Sequence, residues 1–290
     1  MNILVTGANG QLGRELRLLA AGSAHHFLFT DVTEAPGLDG KYLDILDADA
    51  VEKTMVEAAV ELIVNCAAWT DVERAEDAPE IAMRLNAEAP AILARAALRS
   101  GATLMHISTD YVFPGTGCVP SLESDEPCPL SVYGKTKLAG EEAVRATGCK
   151  AIIFRTAWLY SPFGKNFVKT MLRLTAEREQ LDVVFDQTGT PTCAADLASA
   201  ILYIVDSGQL DKCGTYNYTD EGAVSWYDFA CAVASLAGNA CTIRPCRSEQ
   251  FPVKARRPHY SVLDKSLFVE TFGIRPPWWL DSLKKCLDRL

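Results

Sequence analysis

Near-continuous apolar runs alternate with amphipathic stretches through the first half of the chain. NILVT (2–6), HFLFTD (26–31), ELIVNCA (61–67), TLMHIST (103–109) and AIIFRT (151–156) read as strands. QLGRELRLLAA (11–21), PEIAMRLNAEAPAILARAALRSG (79–101) and residues 133–146 read as helices, the second stopped by Gly101. Strands this uniformly apolar are buried on both faces, so the alternation predicts an α/β fold with a doubly wound parallel sheet. Past residue 160 the rhythm becomes irregular. FVKTMLRLTAERE (167–179) and SWYDFACAVASLAG (225–238, Ser225 as its cap) read as helices, and DVVF (182–185) and TYNYT (215–219) as short strands. Pro245, Pro252, Pro258, Pro276 and Pro277 break up the end. The expected organisation is a first domain over 1–160, to which parts of 185–220 return, and a smaller C-terminal α/β lobe over 161–290.

Composition narrows the classes of function. The 290 residues, 49% hydrophobic, suffice for a large core, and no apolar run is long enough for a membrane span. A strand expected from Asn2 leaves no room for a signal peptide, which points to the cytoplasm. The 28 Lys and Arg against 37 Asp and Glu give a net charge of −9, a poor match to nucleic acid. The 10 cysteines form no CxxC pair, and the 4 histidines show no metal-ligand spacing with them, so free thiols are expected and a zinc site is not.

The chemistry gathers at strand ends. GANGQLG (7–13) spaces Gly7, Gly10 and Gly13 directly after a strand, with Gln11 and Leu12 opening the next helix. Such a turn lets the backbone approach a pyrophosphate and offers it free N–H groups, the signature of a Rossmann-type dinucleotide site. Asp31, at the end of the second strand, can accept from the ribose 2′-OH of NAD(H), or simply cap the strand. Asp44 and Ile45 flank the adenine or form a surface turn. Ala67-Ala68 and Ser108-Thr109 end two further strands. Tyr133 and Lys137, four apart, share one face of a helix; alone they would read as a surface pair. All of these fall on the edge of an open sheet where ligands bind. There, a tyrosine whose pKa a neighbouring ammonium lowers can protonate the alkoxide left by hydride transfer to a ketone. Thr109 can position the substrate oxygen, and Lys137 can hold the cofactor ribose.

These motifs resemble an extended short-chain dehydrogenase/reductase. STDYVFPGTG (108–117), PLSVYGKTKLAGE (129–141), FRTAWLY (154–160), DQTGTPT (186–192) and RRPHYSVLD (256–264) resemble the dTDP-4-dehydrorhamnose reductase family, and the similarity spans nearly the whole chain. The resemblance implies reduction of a 4-keto sugar nucleotide, dTDP-4-dehydro-L-rhamnose, by NADPH or NADH. By position it implies Thr109, Tyr133 and Lys137 as the catalytic set, and Asp110, Tyr111, Trp158, Asn166 and Arg257 toward the substrate. It implies a dTDP-sugar as partner, no nucleic acid or membrane, and a possible homodimer. The other readings are a related nucleotide-sugar epimerase or dehydratase, or a non-catalytic cofactor-binding regulatory subunit. The STDYVF and Arg-Pro-x-x-Ser-x-Leu strings disfavour the first, and the intact catalytic set disfavours the second. The chain departs from the pattern twice. Trp69 stands where relatives often have histidine. Some relatives hold magnesium through glutamates; Glu15 remains, but the second position is Ala195, with Asp196 beside it, so no metal site is expected.

Overall fold

The sheet order follows from which strands can be buried on both faces. The computed structural model describes residues 1–251 and 253–290, so Pro252 lies outside the described residues. Seven strands form one sheet. Its order is Gly214–Asn217, β6 (Ala151–Thr156), β5 (Thr103–Thr109), β4 (Leu62–Asn65), β1 (Asn2–Thr6), β2 (His26–Asp31) and β3 (Lys41–Tyr42). Every neighbouring pair is parallel; Ile3, for example, faces Phe27 on one side and Leu62 on the other. Alternate residues of β1 explain the apolar run. Ile3 and Val5 pack under helices α1 (Gln11–Ala20) and α8 (Ala194–Asp206), whereas Leu4 packs with α2 (Ala48–Glu57) and α5 (Ala89–Ser100) on the opposite face. The fold is a Rossmann-type doubly wound α/β sheet, and its order reverses on either side of β1, where such sheets bind ligands.

The helix expected over 79–101 is instead three pieces. After α3 (Val72–Asp77) come α4 (Pro79–Met83), a wider π-helical turn over Arg84–Glu88, and α5, which does end at a left-handed Gly101. Pro90 has no N–H to give to the carbonyl of Asn86, so the regular ladder cannot pass this point. The helices α2 and α8 and the strand Thr242–Cys246 lie where no element was assigned from sequence. The strand expected at 182–185 runs Gln180–Val184 and pairs parallel with Thr242–Cys246, Pro245 included.

A second core gathers Tyr160, Val168, Met171, Phe229, Val233, Trp279 and Leu283. It is built around α7 (Phe167–Glu177) and α9 (Trp226–Ala237), which is capped by Ser225. The strand Gly214–Asn217 joins the edge of the large sheet beside β6, although in the chain it lies between segments of this second core. No helix among the described residues is long and apolar enough to cross a membrane.

Candidate active site

A cleft of about 790 Å³ opens at the carboxyl ends of the sheet strands. It is lined by Gly7, Gly10, Gln11, Leu12, Asp31, Asp44, Ile45, Ala67, Ala68, Ser108, Thr109, Asp110, Tyr111, Tyr133, Lys137, Trp158, Asn166 and Arg257. Of the site residues assigned from sequence, only Gly13 is absent. A Cβ on Gly13 would lie 2.5 Å from Ala8 Cα, so this glycine lets α1 pack on the turn and does not face a ligand. Gly7 adopts φ +65°, and a Cβ there would meet the Ala67 nitrogen at 2.6 Å. Gly10 caps α1 without a side chain, leaving its first N–H groups directed at the cleft. This cradle fits a pyrophosphate.

Asp31 ties the cradle to the second strand. Its Oδ2 accepts from the Asn9 N–H at 3.0 Å, and its Oδ1 accepts from the Thr33 N–H and hydroxyl at 3.0 and 2.8 Å. The carboxylate therefore both caps the strand end and faces the cleft. Across the cleft floor, Asn65 Oδ1 accepts from Thr6 and from the Ala67 N–H, fixing the Ala67-Ala68 backbone. Trp69 is held by its main chain: its N–H donates to Asn86 Oδ1 at 2.9 Å, and Asn86 Nδ2 donates to its carbonyl at 3.1 Å. Its indole N–H donates to the Asp71 carbonyl.

Tyr133 and Lys137 lie on α6 (Val132–Thr147), capped by Ser131, whose Oγ accepts from the Gly134 N–H. Two glycines in this helix look out of place until the packing is seen. A Cβ on Gly134 would stand 2.3 Å from the Tyr111 carbonyl oxygen, and one on Gly140 2.0 Å from that of Asn86. The helix is pressed against both backbones, which holds Tyr133 beside Tyr111, edge to face with ring centroids 5.5 Å apart. Lys137 is fully buried, and its Nζ donates to the Ile107 carbonyl at 2.6 Å. Thr109 Oγ donates to Asp110 Oδ1 at 2.9 Å and accepts from the Tyr111 N–H.

The electrostatics correct one expectation. The Tyr133 phenol is not lowered toward neutrality; burial pushes it up to about 12, against a hydrogen bond with Thr109 that pulls the other way. The Lys137 ammonium, which donates to Ile107, is itself brought down to about 8 by burial, with Glu141 opposing. Burial also raises Asp110 to about 6. A phenol held neutral is equipped to give up a proton to an alkoxide. Ser108 lines the cleft, but its hydroxyl donates to Glu141 at 2.5 Å, so it serves the interior.

The other wall comes from the second half of the chain. Trp158 stands in a left-handed backbone conformation, φ +49°, with Trp226 stacked on it. Asn166 caps α7, and its Nδ2 donates to Gln11 Oε1 at 2.9 Å, joining the wall to the glycine turn. Arg257 pairs with Glu73 through Nη2 at 3.0 Å, while its Nε is buried and has no hydrogen-bond partner among the described residues; the residue lines the cleft. Trp226 and Lys165 also line the cleft and were missed. Lys165 adjoins Asn166 in FGKNF, a signal open to reading; Trp226 looked like an ordinary apolar helix position.

Of the two positions that the resemblance associates with magnesium, one is Glu15 and the other is Ala195, with Asp196 beside it. Glu15 is buried; its Oε2 accepts from Arg289 at 2.9 Å, and its Oε1 has no hydrogen-bond partner among the described residues. Among the described residues no group of three potential ligands could hold a metal. Activity is expected to survive exhaustive EDTA treatment; turnover that is lost on chelation and restored by magnesium alone would overturn this.

A glycine cradle at the sheet's switch point, an acidic second-strand end and a Tyr-x-x-x-Lys helix define a dinucleotide-binding protein of the short-chain dehydrogenase/reductase type. The family model of the RmlD substrate binding domain matches residues 1–290, and the chain belongs to this family. It is 40% identical to the dTDP-4-dehydrorhamnose reductase of Escherichia coli (strain K12), covering 100% of this chain and 98% of that enzyme. It is also similar to the crystal structure of a dTDP-4-dehydrorhamnose reductase from Clostridium acetobutylicum, with a TM-score of 0.93, 44% identity and coverage of 100% and 99% of the two chains. A third relative, the Bacillus anthracis dTDP-4-dehydrorhamnose reductase in complex with NADP, gives a TM-score of 0.91 at 35% identity, covering 100% of this chain and 99% of that one.

Proposed function

We propose that the chain is a cytoplasmic NAD(P)H-dependent reductase of the 4-keto group of dTDP-4-dehydro-L-rhamnose, yielding dTDP-L-rhamnose. One observation carries the reading: a single cleft runs from the glycine cradle to the Trp158 and Arg257 wall, with the neutral, buried Tyr133 between them. Like-named relatives aligned end to end, one of them bound to NADP, support it. In this reading residues 1–160, with the returning segment around 214–217, form the cofactor half, and much of 161–290 forms the substrate lobe.

The cradle of Gly7 and Gly10 and the N-terminus of α1 would hold the pyrophosphate, Asp31 the adenosine ribose and Lys137 the nicotinamide ribose. A bound dihydronicotinamide supplies the hydride. Thr109 orients the sugar carbonyl, and Tyr133 gives its phenolic proton to the oxygen that becomes the alcohol. Lys137 carries the positive charge that compensates the phenolate left behind. Arg257 offers its unpaired Nε edge to the diphosphate, a donor geometry suited to phosphate oxygens. The direct test is to incubate the protein with dTDP-4-dehydro-L-rhamnose and NADPH or NADH, following cofactor absorbance and identifying the sugar product. No oxidation of either cofactor would sink the proposal.

Two further outcomes are expected. The Asp31 carboxylate should disfavour a 2′-phosphate, so NADH is expected to work at least comparably to NADPH. A preference for NADPH above about tenfold, or 1.4 kcal/mol, would show the assignment to be wrong. Trp158→Ala and Arg257→Ala should each raise the substrate KM and leave the cofactor Kd nearly unchanged. A loss of cofactor affinity in either would place that residue in the other half of the cleft.

A further inference from the structure

We propose that Trp226 is a positioning residue of the substrate half of the cleft, which holds the Trp158 indole in place by stacking on it; the inference rests on the reading that this half takes a nucleotide sugar. The backbone at Trp158 is the first observation. Apart from Ala59, it is the only non-glycine among the described residues with positive φ. A bulky side chain persists there only where its surroundings over-determine it, and such positions cluster at ligand clamps.

The surroundings are specific. The Trp226 ring lies 3.5 Å from the Trp158 ring, centroid to centroid, with only 9° between their planes. Free aromatic pairs prefer an offset or an edge-to-face approach, so this overlap is imposed by the frame that carries the two rings. That frame is a short antiparallel bridge in which Val224 pairs with Gly189 and Ser225 with Thr188. Trp226 is the next residue, the first of α9. Its place is fixed by a reciprocal cap: Ser225 Oγ accepts from the Asp228 N–H at 3.1 Å, and Asp228 Oδ2 accepts from the Ser225 N–H at 2.9 Å. Phe167 backs the Trp226 ring with centroids 4.6 Å apart.

The opposite strand of the same bridge meets Trp158 as well. A Cβ on Gly189 would stand 2.5 Å from Trp158 Cε2 and 2.7 Å from Cζ2. One two-stranded bridge thus grips the indole from two directions, with Trp226 on one ring face and the bare Gly189 backbone at its fused-ring edge. Both tryptophans are only half-buried, and both line the cleft. A pair serving the core alone would need neither that exposure nor the left-handed turn. A rigid indole wall of this kind suits the apolar C–H surface of a deoxyhexose and recognises it at little entropic cost, because the ring is already immobile.

The test pairs a spectroscopic readout with kinetics, using Trp226→Ala, Trp226→Phe, Gly189→Ala and Trp158→Ala. Overlapping indoles give an exciton couplet in far-ultraviolet circular dichroism; Trp158→Ala and Trp226→Ala should each remove the same contribution to it, leaving that of the Trp278–Trp279 pair, whose centroids are 6.4 Å apart. Trp226→Ala is expected to raise the substrate KM by roughly tenfold, with kcat changed far less, the pattern of a lost ground-state contact, and with the cofactor Kd unchanged. Trp226→Phe keeps a stacking ring and should restore most of the affinity. Gly189→Ala, which pushes Trp158 from the other side, should raise the KM too. If Trp226→Ala fails to fold, the last two variants carry the test. Loss of that contribution with an unmoved KM, or a shifted cofactor Kd, overturns the proposal for Trp226. If Trp158→Ala also leaves the KM unmoved, the nucleotide-sugar reading of this half fails with it.

Discussion

Tyr133→Phe is expected to lower turnover by roughly 10²-fold or more, the scale of general acid catalysis, while cofactor affinity stays near that of the parent. The substitution removes one proton and one oxygen and keeps the ring that packs against Tyr111. Near-normal turnover would eliminate Tyr133 as the donor. The pH profile gives a second check. The active form for reduction has a neutral phenol and a charged Lys137. Burial keeps the phenol protonated up to about 12, so it sets no limit in the ordinary range. Burial brings Lys137 down to about 8, with Glu141 opposing, so its charge is present below that pH and lost above it. Since kcat/KM reports ionisations of the free enzyme, it should fall as pH rises through about 8. A plot flat well above that pH would mean that the Lys137 charge is not needed.

The parallel sheet was legible because burial on both faces leaves a direct trace. No polar residue interrupts ILV at positions 3–5, since alternate side chains enter two different cores. The cleft was legible for a related reason: sheet topology puts every strand end on one edge, so small and polar residues ending apolar runs mark it. What escaped depended on partners distant in sequence. The burial of Glu15 left no trace in its own stretch of sequence, because Arg289, its partner, lies 274 positions away. The direction of the Tyr133 shift depends on how deeply the phenol is buried, which is not a property of the Tyr-x-x-x-Lys spacing. The π-helical turn needed Pro90, Asn86 and the close approach of Gly140 to be considered together. Trp226 gave no signal at all, since the helix pattern alone accounts for an aromatic after Ser225.

The largest expected loss of stability lies behind the site, at Glu141. Its carboxylate is wholly buried and takes Arg155 in a fork, Nε to Oε1 at 3.0 Å and Nη2 to Oε2 at 2.7 Å. Ser108 and Arg145 donate to the same group. Arg155 is almost as buried, and its guanidinium lies over the Phe113 ring. Burial alone would push Glu141 up, but the hydrogen bonds and charge of Arg155 outweigh it and hold the carboxyl below its ordinary value. Glu141→Ala would leave that guanidinium uncompensated in the interior, which costs about 3–5 kcal/mol. For a chain of this size the melting temperature should fall by on the order of 10 °C. The sign of the linkage follows from the lowered carboxyl: its stabilisation is present above the unfolded-state pKa of about 4.3 and is lost as pH falls through the folded-state value. The gap between parent and variant should therefore be full near neutrality and shrink in acid. The same residue raises Lys137, one turn earlier on α6. Removing it should carry the alkaline limb of kcat/KM to lower pH in whatever fraction stays folded at a temperature below both transitions. A variant that melts within a degree or two of the parent, or whose alkaline limb does not move, would show that Arg155 finds other partners and that the pair neither holds the fold nor tunes the site.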